Sequence, residues 1–424
     1  MASGGSDAER ALAGGLVLRA AQADDVDAVE AEQLAVFGQG EAQGVRTFLT
    51  GPGFAVDDWA VVCDPTRPYG DHVVASCALV PFPLVVDGVD VPAAEIEFVA
   101  TYAEYRRRGL VRAMIDWHHE RSEARGDLVQ LISGIPYVYR RFGYGWGISA
   151  PTEIRLGAVD LHPDPTVSFR PGTKDDVDAL LALEQQRDAI PVRARRDALR
   201  FERWMWFTEL ADPDAVDGDR FTVLERDGQV VGWDLTALRR AERAFYLVGG
   251  AAVDDRVADT SFVRARDAAD AASVRTACYS SPATPFGRRL HEVGTPDPST
   301  YGVYVRVADP VALLRRLQPR LSARLAASPL AGASGEATLS LYTDAVRFTY
   351  AGGAVTAIER VAPIEDPEEE DESGVPPDWF PALALGRFGA RELELRVDDA
   401  LLGVHRELLA VLFPRLEADI HADF

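Results

Sequence analysis

The sequence predicts a mixed α/β and α+β chain that folds as two related α/β domains followed by a smaller α+β domain. The chain has 424 residues, well beyond the size at which a single hydrophobic core stops growing. A pattern near its start recurs further along, which indicates an internal repeat. The character of the sequence changes again near Tyr301. We therefore predict domains at residues 1–155, 156–300 and 301–424.

The repeat is clearest where each copy begins. Leu18–Ala20 leads into Asp24–Ala28, and 151 positions later Phe169–Pro171 leads into Asp175–Ala179. Each copy predicts a short strand and then an acidic helix start, in which an aspartate caps free backbone N–H groups. The predicted helices are Val26–Phe37 and Val177–Gln186.

Both copies continue with three apolar strands in the same order, of which the first two are joined by a turn. In the second copy this turn contains Asp227-Gly228, a strong hairpin signal. Two domains of one fold are the simplest interpretation, and chance similarity of two acidic helix starts is the alternative. The predicted strands are Trp59–Cys63, Val73–Leu79 and Ile96–Ala100 in the first copy, and Phe221–Leu224, Val230–Leu235 and Phe245–Val248 in the second.

The copies differ after the third strand. The first has Arg106, Arg107, Arg108 and Gly109 before a predicted helix, Leu110–Arg125, whereas the second has two acidic residues and no glycine there. Free N–H groups and the helix dipole favour an anion at a helix start, a glycine lets the backbone approach a pyrophosphate, and arginines add charged donors. The first copy alone therefore predicts a phosphate site, with a solvated arginine surface as the alternative.

A tyrosine-rich segment follows the next predicted strand, Leu128–Ser133. It begins at Gly134 and contains Pro136, which suits the first turn of a helix. Tyr139 is therefore expected on a short helix just beyond the end of a strand. A core aromatic residue is the alternative interpretation of this tyrosine.

The third domain is predicted from a change to new elements after Tyr301. The acidic run Glu365–Glu372 is most simply a solvated loop. The predicted elements are a strand at Val303–Val307, a helix at Pro310–Ala326, and strands at Ala337–Tyr342 and Val346–Tyr350.

These motifs resemble those of the GNAT acetyltransferase superfamily, and most closely its branch typified by the Eis (enhanced intracellular survival) proteins. The resemblance rests on RRRGLVRAMI, on YRRFGYG, on the two tandem domains, and on a terminal domain similar to sterol carrier protein that ends in phenylalanine. It covers essentially the whole chain. It implies an intact first acetyltransferase domain and a degenerate second one.

The resemblance also implies roles for particular residues. The backbone of Phe98, Val99 and Ala100 is expected to pair with the pantetheine arm of acetyl-CoA, while Arg106–Gly109 and Leu110 hold its pyrophosphate. Tyr139 is expected to be the general acid for the leaving thiolate, because a phenol, with an ordinary pKa of about 10, suits a thiolate of similar basicity. The terminal carboxylate of Phe424 is expected to be the catalytic base.

Two departures from the family pattern bear on these expectations. Val111 stands where the general motif has glycine or alanine, although bulkier residues occur in this branch. Gly134-Ile135 replaces the Ser-Glu of aminoglycoside-modifying members. Aminoglycoside specificity therefore does not follow from the resemblance, and a small cationic amine or a lysine side chain is the expected acceptor class.

Composition narrows the partners further. The net charge of −23 disfavours nucleic acid and anionic membrane surfaces. The three cysteines lack metal-ligand spacing, and His118-His119 suits a surface or pocket lining better than a metal site. We expect a cytoplasmic enzyme without metal, and a homo-oligomer, by family analogy a hexamer. A non-catalytic acyl-CoA or lipid-binding protein is the alternative function.

Overall fold

The computed structural model describes residues 9–135, 137–210, 218–297 and 302–420. The chain divides into two compact units. The first unit comprises the described residues up to Ile148 together with Gly302–Leu416, and the second those from Ser149 to Asp297 together with Glu417–Ile420. Each unit is described separately below.

The first unit begins with a mixed sheet and three helices. Its helices are α1 (Val26–Phe37), α2 (Gln39–Thr50) and α3 (Leu110–Arg125). Its strands are β1 (Arg10–Ala11), β2 (Val17–Ala20), β3 (Trp59–Cys63), β4 (Val73–Val86), β5 (Val89–Thr101), β6 (Val129–Ile132) and β7 (Gly145–Ser149). The long strands β3 and β4 are almost wholly buried, in keeping with their continuous apolar sequence.

The order of strands in this sheet runs from β1 to β6 in sequence. Between β6 and β7 lies a strand from much later in the chain, Gly302–Val307, which pairs antiparallel with β6. The β5–β6 pair is parallel, and the other pairs from β1 to β5 are antiparallel. The sheet therefore takes residues from two widely separated stretches of the sequence.

The second unit repeats this plan. Its sheet has the order β15-β8-β14-β13-β12-β11-β9, with β13 and β14 parallel. Its helices are α4 (Val177–Glu184), α5 (Ala198–Leu210), α6 (Asp255–Ala271) and α7 (Pro285–Val293). Its strands are β8 (Glu153–Arg155), β9 (Ser168–Pro171), β10 (Val192–Ala194), β11 (Gly218–Arg226), β12 (Gln229–Arg239), β13 (Ala244–Ala252), β14 (Arg275–Cys278) and β15 (Thr295–Asp297).

The two copies share one ion pair at the helix start that revealed the repeat. Arg19 donates two hydrogen bonds to Asp25, at 2.6 and 2.9 Å, and Arg170 donates two to Asp176, both at 2.7 Å. In each copy the aspartate also closes a capping box over the turn that precedes the helix. The conserved spacing in the sequence therefore corresponds to the same local structure in both units.

The last part of the chain adds a small sheet and four helices to the first unit. The sheet has the order β19-β18-β17-β20. The strands are β16 (Gly302–Val307), β17 (Gly335–Ser340), β18 (Ala345–Ala351), β19 (Ala354–Val361) and β20 (Ser373–Gly374). The helices are α8 (Pro310–Ala326), α9 (Phe380–Ala384), α10 (Ala390–Glu394) and α11 (Arg406–Leu412).

Helix α8 is tied to the hairpin between β4 and β5. Arg320 and Arg324 donate to the two carboxylate oxygens of Asp87, at 3.0 and 2.9 Å. The two guanidinium groups hold the pKa of the Asp87 carboxyl below its usual value, against the effect of burial. This pair of contacts joins the first and last parts of the chain within one unit.

The final described segment belongs to the second unit. Strand β21 (Ala418–Asp419) pairs in parallel with β10. The buried Arg187 donates to the Asp419 carboxylate at 3.0 Å and to its backbone carbonyl at 3.1 Å. Across the described residues, no helix combines the length and apolar character that crossing a bilayer requires.

Candidate functional site

A notch opens on β5 where its parallel partner ends. The β5–β6 ladder stops at the pair Ile96–Ile132, but β5 continues to Thr101. Residues 97–99 are partly exposed, while their neighbours on both sides along the strand are buried. The parallel ladder is therefore absent from the part of β5 where the sequence predicted pairing with a pantetheine arm.

The notch coincides with a break in the antiparallel pairing on the other side of β5. Ser76 faces Ala100 and Ala78 faces Glu97, so β5 carries an extra residue there. Phe98, inside this bulge, has φ of 54°, a left-handed conformation that is uncommon for an aromatic residue. Its ring packs against Phe48, with centroids 4.9 Å apart. Such backbone conformations persist where packing enforces them, often at functional sites.

Helix α3 begins close after β5 with an exposed basic loop. Gly109 precedes the helix with φ of 81°, and no side chain caps the first turn. Arg106, Arg107 and Arg108 are all exposed, whereas Leu110 is buried in the core. Uncapped N–H groups, a helix dipole and three guanidinium groups together make a site suited to a pyrophosphate.

Two further arginines lie beside this loop. The guanidinium groups of Arg112 and Arg141 both lie over the ring of Phe142, at 4.8 and 6.0 Å from its centroid. Sequence reasoning did not single them out, although Arg112 falls in the first turn of α3 and Arg141 in the tyrosine segment. Their shared contact adds positive charge next to the predicted phosphate site.

Tyr139 lies at the same edge of the sheet, because β5 and β6 are parallel and the tyrosine segment follows β6. It begins a short 3₁₀ turn, Tyr139–Phe142, and is buried, with 7% of its surface exposed. A side-chain carbon at Gly134 would lie 3.5 Å from the Tyr139 hydroxyl oxygen. The hydroxyl therefore lies against the backbone just beyond the end of β6.

The alternative candidate, Tyr137, is placed differently. It has φ of 72° and is 74% exposed. Its backbone N–H donates to the hydroxyl of Tyr304, a residue of β16. The Tyr304 ring contacts Tyr139 at 6.3 Å between centroids, so β16 supports the tyrosine segment.

A pair of neutral histidines lies behind this segment. Burial lowers the pKa values of His118 and His119 to about 3 each. The ring nitrogen Nε2 of His118 lies 3.1 Å from the Cys77 carbonyl oxygen, and that of His119 lies 3.1 Å from the Tyr144 hydroxyl. Across the described residues no group of histidine, cysteine and acidic side chains has the arrangement of a metal site.

A carboxylate that the sequence did not reveal as a candidate lies near the same edge. Glu95, on β5, is 2% exposed. The Ser133 hydroxyl, just after β6, donates to it at 3.4 Å. The other predicted catalytic residue, Phe424, lies outside the described residues.

Comparison with known proteins assigns this part of the chain. Residues 17–147 match the family model described as Acetyltransferase (GNAT) domain. The chain carries a GNAT acetyltransferase domain. An uncharacterized N-acetyltransferase of Streptomyces avermitilis is 32% identical over 175 residues, which span 39% of this chain and 42% of that relative. The match therefore covers less than half of the relative's length. The prediction of an acetyltransferase enzyme is confirmed at the level of the domain at residues 17–147.

Solved structures share the fold along nearly the whole chain. A GCN5-related N-acetyltransferase from Anabaena variabilis has a TM-score of 0.63 at 15% identity, covering 95% of this chain and 97% of that one. One from Kribbella flavida has a TM-score of 0.61 at 19% identity, covering 96% and 98%. Eis1 from Mycobacterium abscessus has a TM-score of 0.58 at 14% identity, covering 95% and 98%. At these identities the likeness establishes the fold.

The second unit keeps a bulge in β13, where Leu235 faces Gly249 and Thr236 faces Leu247, but it differs from the GNAT domain at the helix start. Its corresponding helix, α6, is capped by Asp254, whose side chain accepts from the N–H of Val257 and so occupies the helix start. Its parallel ladder ends at Leu247–Cys278, as in the first unit. Just beyond, the buried ring of Phe286 lies so close to Gly250 that a side-chain carbon there would meet it at 2.6 Å. The equivalent space is filled by protein.

Proposed function

We propose that the protein is an acetyl-CoA-dependent N-acetyltransferase that acetylates a primary amine of a cationic small molecule or of a lysine side chain. The observation that best supports this is the grouping of three features at one edge of the GNAT domain. These are the notch of β5, the uncapped start of α3 and the hydroxyl of Tyr139. Holding cofactor and acid in one place is how such enzymes accelerate acyl transfer.

In this proposal the amine attacks the thioester carbonyl and the bond from carbon to sulfur breaks. The backbone at Phe98, Val99 and Ala100 holds the pantetheine arm, and Arg106–Leu110 hold the pyrophosphate. Tyr139 gives its proton to the departing thiolate, and the second proton that the attacking nitrogen loses as the amide forms restores the phenol. Its burial beside the open strand end supports this role, because a phenol at that position is shielded from bulk water.

The ammonium form of the amine must lose a proton before it attacks. We assign this proton to the terminal carboxylate of Phe424, as the resemblance to the Eis branch implies.

The finer family assignment is also part of the proposal. We infer an Eis-like enzyme in which the second unit is a degenerate GNAT-like domain and residues 301–424 form a sterol carrier protein-like domain. The filled space beside Phe286 supports a second unit without a cofactor. A cytoplasmic location and a homo-oligomer, such as a hexamer, follow from the same analogy.

The test is turnover of acetyl-CoA with a panel of amines that includes polyamines, aminoglycosides and lysine peptides. We expect free CoA thiol to be released in proportion to an acetylated amine identified by mass. Omission of the amine is the control. A protein that binds acetyl-CoA and releases no thiol with any member of the panel would instead be a non-catalytic acyl-CoA-binding protein.

A further inference from the structure

A buried chain of polar side chains lies against the bulge of β5. Glu32 and Gln33 come from α1 and Ser76 from β4, and all three are fully buried. These residues were not part of any motif recognised in the sequence. Buried polar groups are costly unless they are paired, so a cluster at this depth requires a reason.

The donor and the acceptor of each hydrogen bond in this cluster can be assigned. The Gln33 amide nitrogen donates one hydrogen to the Ser76 hydroxyl at 2.7 Å and the other to the Phe98 carbonyl at 2.8 Å. Ser76 in turn donates to Glu32 at 2.7 Å. The Phe98 carbonyl accepts only, so the amide must present its nitrogen to it. Both hydrogens of the Gln33 amide are used.

The amide joins the two strands where their ladder is broken. Ser76 is the last regularly paired residue of β4 before the break, and Phe98 is the left-handed residue of β5 inside it. A left-handed backbone at a bulky residue is strained and persists only where neighbours enforce it. The Gln33 hydrogen bond is a contact of that kind, directed at the carbonyl of the strained residue.

We propose that Gln33 is a positioning residue for acyl-CoA, which holds the Phe98 carbonyl from the α1 side and thereby keeps the notch of β5 open to the pantetheine arm. This inference rests on the proposed function, because it is there that the notch receives its ligand. Gln33 acts through the backbone of Phe98 and does not itself touch the reacting atoms. Glu32 accepts the hydrogen of the Ser76 hydroxyl, so the Ser76 oxygen is oriented to accept from Gln33. The other hydrogen of the Gln33 amide is then directed at the Phe98 carbonyl.

The second unit provides a natural comparison. The residue 151 positions after Gln33 is Glu184, which is an acceptor and pairs with Arg187 and Arg196. An amide that could hold a strand carbonyl is therefore replaced by a carboxylate at this position.

In the same unit, the ring of Phe286 packs against Gly250 of β13, at the place that corresponds to the notch of β5. Strand β13 keeps a bulge between Leu247 and Gly249, so the amide is not needed to form the bulge itself. What the second unit lacks together with the amide is the open space, where Phe286 packs against Gly250.

The test uses calorimetry on the full chain to compare binding of the whole cofactor with binding of its nucleotide end alone. The variants are Gln33→Leu and the isosteric Gln33→Glu, which keeps size but loses the amide donors. The ligands are acetyl-CoA and 3′-phosphoadenosine 5′-diphosphate, which contains the pyrophosphate but no pantetheine. We expect acetyl-CoA to bind about 10- to 100-fold more weakly, with the affinity of the fragment within about 2-fold of wild type.

The control is Gln130→Leu, which removes another buried glutamine of the same sheet, away from the bulge. It should leave the affinity for acetyl-CoA unchanged. Equal weakening of both ligands by the Gln33 variants would show a general structural role and overturn the proposal, as would unchanged acetyl-CoA affinity in the folded Gln33→Glu protein. A wild-type protein that binds no acetyl-CoA would instead refute the proposed function.

Discussion

The hydroxyl of Tyr304 accepts a hydrogen bond from the backbone N–H of Tyr137, 167 positions earlier in the chain. The ring of Tyr304 also stacks on Trp146 with centroids 3.8 Å apart. A strand from the last part of the chain thus supports the segment that carries the proposed general acid. The geometry of this segment depends on residues far outside the motif that identified it.

Replacing the proposed general acid should separate chemistry from binding. Tyr139→Phe removes the proton donor but keeps the ring that packs in the core, so kcat should fall about 10²- to 10⁴-fold while the Kd for acetyl-CoA stays constant. Steady-state release of CoA thiol and calorimetry measure the two quantities. Tyr137→Phe, at an exposed position, is the control and should keep the wild-type rate. The reverse pattern would transfer the role to Tyr137.

The phosphate site can be tested with a pair of glycines at the two ends of one helix. Gly109 and Gly126 flank α3 with nearly the same φ, 81° and 84°, and a side-chain carbon would meet no atom within 4 Å at either. Gly109→Asp and Gly126→Asp therefore add the same strain and charge at opposite ends. Only Gly109→Asp should weaken acetyl-CoA binding, by about 10-fold or more, because a negative charge then faces the pyrophosphate.

The same titration counts the sites. One acetyl-CoA per chain is expected, because the start of α6 is capped by Asp254 and the adjoining space holds Phe286. Two equivalent sites in the wild-type protein, or equal affinities of the two aspartate variants, would contradict this assignment.

Glu32 should make stability depend on pH. Burial raises the pKa of its carboxyl to about 8 from 4.5, although the Ser76 hydrogen bond opposes the shift. The folded protein therefore keeps a proton that the unfolded chain loses, and stability falls as pH rises from 4.5 to about 8. Burial raises the pKa of the Cys77 thiol and of the Tyr102 hydroxyl, and the electrostatic interaction of the Glu32 carboxylate with each raises it further. Glu32 itself is fully buried, which raises the free-energy cost of ionising its carboxyl.

Glu32→Gln removes this titration and keeps an acceptor for Ser76. Its free energy of unfolding should exceed that of the wild type by about 3 kcal/mol more at pH 7 than at pH 4.5, as measured by urea denaturation. Glu30→Gln, on the partly exposed side of the same helix, is the control and should follow the wild type. Parallel pH profiles for Glu32→Gln and wild type would show that Glu32 is charged in the folded protein.

The assignment of the base to Phe424 predicts sensitivity to additions at that end. A few residues attached after Phe424 move the free carboxylate away while keeping every side chain. Turnover should then be lost, with acetyl-CoA affinity unchanged. The same tag at the other end is the control. Full activity in a protein whose tag is shown to be intact would place the base elsewhere, and Glu95 would be the next residue to replace.

The sequence predicted those parts of the fold that local patterns control. The helices Val26–Phe37, Leu110–Arg125 and Pro310–Ala326 have the bounds that their caps and apolar periodicity indicated. The repeat predicted an aspartate-capped helix start in both units, and each has one, because a helix start that needs capping is a local structure. The division into three domains itself stays a prediction.

The features that the sequence did not reveal depend on distant contacts. Strand β16 was assigned to the third domain, but it pairs with β6 in the first sheet, and nothing in its apolar sequence indicates which edge it joins. The hydrogen bond from Gln33 to the Phe98 carbonyl, at the bulge of β5, likewise joins residues 65 positions apart. The basic loop was recognised from its motif, whereas only folding brings Arg141 to the ring of Phe142 that Arg112 also contacts.

The position of β16 has a consequence for how the protein is made. The gap between β6 and β7 is filled by residues 302–307, so during synthesis the first sheet stays incomplete until the ribosome has translated residues 149–301, which make up most of the second unit. Until then β6 presents an unpaired edge, which invites pairing with another chain. Closing that gap joins residues far apart in sequence, which makes it a slow step. A nascent chain stalled before residue 302 should therefore depend on chaperones, and the full-length chain should not.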